Sequence, residues 1–305
     1  MIRVDNITRT FGTKIALDQV SFKVPQGTIT GFIGSNGAGK TTAMRIIMNV
    51  LHPDSGVVYW KERPVTREIA GRFGYMPEER GLYPKMTVED QMTYFARLHG
   101  WGKKWAKRET GNILEELEFG YPLTSRIDAL SLGNQQKVQL AACLVHNPIA
   151  LILDEPFSGL DPNAVDVVLS ALRKRCQAGV PILLSSHQIE VVEKLCDTVT
   201  MLNAGKVISS GDLQEIKRKG RETSYLLQFS ADWNLPRELV ERHQVLAEPA
   251  GDNKYIVSCG EDKAISRFVS ELLDFLASTD NSHVRLIQYS ESDLSLAEVF
   301  RNSSE

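Results

Sequence analysis

The run Gly34-Ser35-Asn36-Gly37-Ala38-Gly39-Lys40-Thr41-Thr42 carries the most specific chemistry in the chain. It satisfies the pattern G-x-x-x-x-G-K-[ST] at every required position. Such a loop turns backbone N–H groups inward as an anion nest, and the helix after it adds partial positive charge. Lys40 has the reach for β- and γ-phosphates, and Thr41 offers a hydroxyl to Mg²⁺. The flanks agree with this reading. Thr28-Ile29-Thr30-Gly31-Phe32-Ile33 reads as a buried strand, and Ala43-Met44-Arg45-Ile46-Ile47-Met48 as the start of a helix. The expectation is a site for a nucleoside triphosphate.

Ala150-Leu151-Ile152-Leu153 is a continuous apolar run, the pattern of a parallel strand buried on both faces. Asp154 and Glu155 follow it directly. Parallel strands present their C-terminal ends to a ligand crevice, so both carboxylates are expected to face the phosphates. Asp154 suits Mg²⁺, and Glu155 suits polarisation of an attacking water. An isolated Asp-Glu pair is more simply a helix cap or a loop ion pair. Downstream of a complete phosphate loop, the chemical reading takes precedence.

A second anion site is readable in Leu130-Ser131-Leu132-Gly133-Asn134-Gln135-Gln136. Ser131 is a normal N-cap, and the expected helix over Gln135 to Val145 aims its N-terminus at the same point. With these residues in view, the chain resembles the nucleotide-binding subunit of an ABC transporter. LSLGN is similar to that family's LSGGQ signature. The resemblance implies two such domains paired head to tail, each sandwiching ATP between its phosphate loop and the partner's Ser131, Gly133 and Asn134. It also implies a D-loop at Ser158-Gly159-Leu160-Asp161 and a switch histidine at His187 that contacts the γ-phosphate. Phe11 takes the place of the aromatic that stacks on adenine.

Two positions depart from the family pattern. Asn134 stands where the signature ends in Gln, one methylene shorter. Glu78, in Tyr75-Met76-Pro77-Glu78-Glu79-Arg80, stands where Gln is usual. Gln offers a neutral oxygen and an N–H donor; Glu offers an anionic oxygen and no donor. Glu78 is still expected at the Mg²⁺ and water position, linking the site to a transmembrane partner. PEERGLYPKMT, the acidic appendage and the terminal Ser295-Leu296-Ala297-Glu298-Val299-Phe300 resemble a bacterial subgroup. Its members pair a separate ATPase chain with a separate permease and mostly export sodium, drugs, peptides or polymers.

The elements that must position these residues follow from the pattern. The fold expected is α/β: a P-loop NTPase core over residues 1–220 with antiparallel β and helical subdomains, the helical one at about 85–135. Thr87 to about Leu117 reads as helical, opened by Thr87 and Asp90. Asp161 and Pro162 open another helix as N-cap and N1. Residues 221–305 read β-α-β-β-α-β, the split βαβ order of a small ferredoxin-like domain. Its last helix, Asp262 to Leu276, carries Ile265, Phe268, Val269, Leu272, Leu273 and Leu276. This second part is expected to brace a dimer, sense a ligand or contact the permease.

Net charge of −3 conceals an asymmetry: residues 221–305 hold 15 acidic and 8 basic side chains. An acidic second domain is a poor nucleic-acid platform. No window approaches 18 uninterrupted apolar residues, so no transmembrane helix is expected. The N-terminus lacks the apolar core of a signal peptide. Four cysteines without metal-like spacing read as reduced thiols. The resemblance then implies a cytoplasmic ATPase subunit, peripheral on the inner face of the membrane, with ATP and Mg²⁺ as cofactors. Its partners would be a second ATPase subunit, identical or not, and a permease. The alternatives in other classes are a soluble ABC ATPase acting on nucleic acid or ribosomes, and a regulatory module that only binds ATP.

Overall fold

The computed structural model describes residues 1–219, 223–231, 233–259, 262–278 and 284–291. The chain divides into two compact units between Leu213 and Gln214, seven residues before the boundary read from the sequence. Leu213 is buried, and its N–H donates to the Asp197 carbonyl, which holds it in the first unit.

The first unit opens with a hairpin, β1 (Ile2–Phe11) and β2 (Lys14–Val24), turned at Gly12. Next come β3 (Ile29–Gly34), α1 (Lys40–Ile47), β4 (Ser55–Trp60), β5 (Arg63–Pro64), α2 (Arg67–Ala70) and β6 (Phe73–Met76). A helical region holds α3 (Val88–Leu98), α4 (Lys103–Glu116) and α5 (Leu132–Leu144). The core then resumes with β7 (Ala150–Leu153), α6 (Pro162–Gln177), β8 (Ile182–Ser185), α7 (Ile189–Leu195), β9 (Thr198–Asn203) and β10 (Lys206–Asp212).

Two sheets result. One is antiparallel in the order β2-β1-β4-β5; the other runs β10-β9-β3-β8-β7-β6, parallel except for β10. Every residue of β7 and β8 is buried, as expected of strands covered on both faces; β7 is wholly apolar and β8 apolar up to its last residue, Ser185. Helix α1 lies between the sheets. Its Met44, Ile46 and Ile47 share one core with Val20 and Phe22 of the first sheet and with Phe32, Ile152 and Leu183 of the second. The phosphate-loop helix is thereby fixed from both sides. Because β3, β7, β8 and β6 run parallel, Gly34, Asp154, Ser185 and Pro77 emerge at one edge.

The helical region differs from the single helical stretch expected over Thr87–Leu117. Thr87 caps α3 as read, and its hydroxyl exchanges bonds with the Asp90 N–H and carboxylate. The helix then stops at His99, because Gly100 adopts φ +85°, a left-handed turn that glycine takes without a Cβ clash. Trp101 and Trp105 stack at 4.1 Å beyond it. They donate to the carbonyls of His146 and Val145 just past the end of α5, supplying partners that a helix end lacks.

The second unit contains α8 (Leu213–Lys219), whose first residue belongs to the first unit, and then β11 (Thr223–Phe229) and α9 (Arg237–Arg242). It continues with β12 (Leu246–Pro249), β13 (Lys254–Cys259), α10 (Asp262–Ser278) and β14 (Leu286–Glu291). Its sheet runs β12-β13-β11-β14 with all neighbours antiparallel. Ile265, Phe268, Leu272 and Leu276 of α10 pack on Leu227, Phe229 and Val257. Leu273, read as part of that stripe, is 48% exposed, since it lies about 80° round the helix from Ile265. Ser295–Phe300 lies outside the described residues.

Candidate active site

The loop after β3 is shaped by its glycines. Gly39 has φ +109°, and a Cβ there would stand 2.5 Å from the Ala16 carbonyl oxygen. At Gly34 a Cβ would stand 2.4 Å from the Leu202 carbonyl oxygen. The loop therefore lies flush against β2 and β9. Ala38 N–H closes the turn on the Ser35 carbonyl at 3.1 Å, and Ala43 N–H begins the α1 ladder on Gly39. Lys40 folds back over the loop, its ammonium 2.7 Å from the Gly34 carbonyl oxygen and 3.2 Å from that of Ser35.

Three strand ends converge behind the loop. Asp154 is buried, and its carboxylate accepts from Thr41 Oγ1 at 2.7 Å and from Ser185 Oγ at 2.5 Å. Ser185 Oγ also accepts the Glu155 N–H at 3.0 Å. One serine hydroxyl at the end of β8 thus ties both acidic residues at the end of β7. Glu155 itself has φ +51°, a left-handed conformation rarely taken by a residue with a Cβ. Strain of that kind persists only where the surroundings over-determine it. Here Ser185 holds its N–H, and Gln136 Nε2 of α5 holds its carbonyl at 3.2 Å. Its carboxylate Oε2 lies 2.8 Å from His187 Nδ1.

These groups surround a cavity of about 590 Å³. Asn36, Gly37, Gly39, Lys40, Thr41 and Thr42 of the loop line it together with Glu78, Asp154, Glu155 and His187. Phe11, Lys14 and Ala16 of the first hairpin complete the lining. Phe11 is 47% exposed, with the Arg9 guanidinium 4.9 Å from its ring centroid. Glu78 therefore faces the same space as the phosphate loop.

Ser131, Gly133, Asn134 and Asp161 do not line this cavity. Helix α5 starts at Leu132, three residues earlier than expected, because Ser131 is its N-cap. The Ser131 hydroxyl accepts the Asn134 N–H at 3.4 Å and Asn134 Nδ2 at 2.9 Å. Asp161 caps α6 through the Ala164 N–H at 2.9 Å. A Cβ on Gly133 would lie 3.4 Å from the Gly159 carbonyl oxygen, so the two segments are neighbours.

Ser185, Gln136, Lys14 and Ala16 were not singled out from the sequence. Ser185 had one visible signal: a hydroxyl ending an otherwise apolar strand parallel to the one before Asp154. The oxygen donors suit Mg²⁺, which is commonly held by one or two carboxylates plus substrate phosphates. Among the described residues no cluster of three or more His, Cys, Asp or Glu forms a closed metal cage.

The chain matches the family model for ABC transporters over residues 17–158, a span running from β2 through the phosphate loop and α5 to Ser158. It is 45% identical over 218 residues to the uncharacterized ABC transporter ATP-binding protein YhaQ of Bacillus subtilis strain 168, covering 72% of this chain and 73% of that protein. The chain belongs to the ABC transporter ATP-binding family. This ABC subunit is also 32% identical over 209 residues to the Nod factor export ATP-binding protein I of Burkholderia orbicola, covering 68% and 69% of the two chains. A solved structure of an ATP-binding subunit of an ABC transporter superposes with a TM-score of 0.67 at 29% identity, covering 72% of this chain and 92% of that one. Gly34–Thr42 and Leu130–Asn134 lie in different parts of one unit. Among its described residues no helix is long and apolar enough to cross a membrane.

Proposed function

We propose that this chain hydrolyses ATP to power export through a separately encoded permease. The observation that carries the reading is Glu155, held on three sides beside the phosphate loop: N–H by Ser185, carbonyl by Gln136, carboxylate by His187. Phe11 stacks on the base, and the loop N–H groups with Lys40 hold the β- and γ-phosphates. Glu155 orients the attacking water and takes its proton, while His187 holds the carboxylate and contacts the γ-phosphate. Thr41, Asp154 and Glu78 would hold Mg²⁺, Asp154 through a water. Mg²⁺, when bound, neutralises charge on the transferring phosphoryl group.

Ser131, Gly133, Asn134 and Asp161 lie outside the cavity that holds the phosphate loop. The reading therefore requires a second ATPase subunit, identical or homologous, whose signature completes each site. Anion capture at the N-terminus of α5 suits that part. An apolar groove of about 340 Å³, lined among others by Phe73, Tyr75, Leu82, Phe95 and Gln139, supports a permease contact behind Glu78. The ATPase chain would sit on the inner face of the cell membrane. Its second unit, with the β12-β13-β11-β14 order, is read as a ferredoxin-like accessory domain that braces the dimer. Export is supported by the Nod factor relative.

Co-purification tests the assignment. The tagged chain should bring down a polytopic membrane protein, and the complex should hydrolyse ATP. Capture of RNA or DNA in a salt-sensitive manner, with no membrane partner, would overturn it. Glu78→Gln gives a second test. Removing one anionic oxygen should raise the Mg²⁺ concentration for half-maximal ATP hydrolysis several-fold, read from a Mg²⁺ titration at fixed ATP. An unchanged midpoint would remove Glu78 from the metal site.

A further inference from the structure

Helix α5 touches the segment leading to Glu78 at four successive points. Gly74 of β6 lies so close that a Cβ would stand 2.5 Å from the Cys143 carbonyl oxygen. Cys143 Sγ donates to the Tyr75 carbonyl at 3.0 Å. One turn earlier on the helix, Gln139 Nε2 donates to the Pro77 carbonyl at 2.7 Å and to the Glu79 carbonyl at 3.4 Å. The two carbonyls on either side of Glu78 thus share a single amide. Gln139 is 4% exposed, and low surrounding polarity strengthens those bonds. Its Oε1 is buried with no hydrogen-bond partner. A buried acceptor left unpaired costs free energy, so only one end of this amide works for the fold, the end that holds the Pro77 and Glu79 carbonyls.

The same helix reaches the other acid. Gln136, three residues before Gln139, is also buried, and its Nε2 donates to the carbonyls of Glu155 and Pro156 at 3.2 and 3.1 Å. Ser131 is the N-cap of this helix. One rigid element of about 20 Å therefore bears the signature at its start and the main-chain supports of both acids further along.

We infer that Gln139 is the positioning residue for Glu78: its amide sets the height of the Glu78 main chain at the Mg²⁺ site and ties it to the signature helix. This rests on the placement of Glu78 proposed above. Gln139 touches neither nucleotide nor metal, and acts only through the Pro77 and Glu79 carbonyls. Loss of an outer support for a metal-site group lowers metal affinity by roughly 10–100-fold where the group is a direct ligand. Glu78 lines the same cavity as Asp154 and Thr41 and would hold the ion with them, so the low end is the expected effect.

The test uses the full-length chain and a fluorescent N-methylanthraniloyl ATP, titrated with Mg²⁺. Gln139→Leu keeps the volume, loses the donor and removes the unpaired Oε1. It should raise the Mg²⁺ midpoint of nucleotide binding by roughly tenfold and leave binding in EDTA unchanged. Its melting temperature should stay within about 4 °C of the parent. Gln139→Met serves if the leucine variant fails to fold. The deciding measurement is the cycle with Glu78→Ala. If Gln139 acts through Glu78, adding Gln139→Leu to Glu78→Ala shifts the midpoint no further. If Glu78→Ala shifts the midpoint but Gln139→Leu does not, or the two shifts multiply, the positioning role is wrong. If Glu78→Ala itself leaves the midpoint unchanged, the placement of Glu78 fails and this inference with it.

Discussion

Glu155→Gln should lower the ATP turnover of the assembled complex by about 10²–10⁴-fold while leaving nucleotide binding intact. The substitution keeps the shape of the side chain and removes its ability to accept a proton. The amide can still meet His187, which lies 2.8 Å from the carboxylate. The main-chain supports do not involve the side chain: Ser185 holds the N–H and Gln136 the carbonyl. The left-handed φ of +51° is therefore retained. Phosphate binding rests on the loop and Lys40, neither of which is bonded to Glu155. The measurement is single-turnover hydrolysis beside equilibrium binding of an ATP analogue. A fall in binding equal to the fall in turnover would mean that Glu155 supports the pocket rather than the chemistry. Unchanged turnover would return the chain to the class of ATP-binding regulators.

The parts legible in the sequence are those whose cause is local. The glycine spacing of Gly34–Gly39 and the apolar runs of β3, β7 and β8 each set their own structure. Asp154 and Glu155 could be placed because they follow such a run directly. Thr87 and Asp161 cap their helices through bonds spanning three residues. What escaped was set by distant partners. Ser185 meets Asp154 across 31 residues, and Gln139 meets Pro77 across 62. Nothing in either neighbourhood announces those contacts, since a helix glutamine reads as solvent-facing. The start of α5 was misplaced for a related reason. Ser131 reads as an N-cap, but Gly133 and Asn134 resemble loop residues, and the pattern points to Gln135 as the first helical residue. The break between α3 and α4 was hidden by apolar residues that continue past Gly100.

The stability of the first unit should fall as pH drops below about 6.5, and His146 should be the main cause above the range where carboxylates titrate. Its ring is buried at the end of α5, stacked on His99 with centroids 3.7 Å apart. Nε2 faces the Phe73 carbonyl, and Nδ1 has no hydrogen-bond partner. Burial pushes its pKa down from 6.5 to about 4, and the neighbouring His99 adds to the shift. Between those values the unfolded chain binds a proton that the native chain refuses. Stability is therefore complete above pH 6.5 and is lost as pH falls towards 4. For one such group the loss is about 2 kcal/mol by pH 5. His99 is also lowered, by its own burial, and acts in the same direction. The other ionisable groups nearby, Tyr75 and Cys143, are both raised by burial and stay neutral throughout this range. Denaturant unfolding at pH 7.5 and pH 5, followed by tryptophan fluorescence in a background with Trp60 and Trp233 replaced by Phe so that only Trp101 and Trp105 report, reads the difference on the element concerned. His146→Gln removes the titration and should reduce the pH dependence by about 2 kcal/mol, whatever it does to stability at pH 7.5. An equally steep pH dependence in His146→Gln would show that the proton is taken up elsewhere. Because the stack lines the same groove as Gln139, acid conditions should disturb the proposed permease contact before they disturb the phosphate loop.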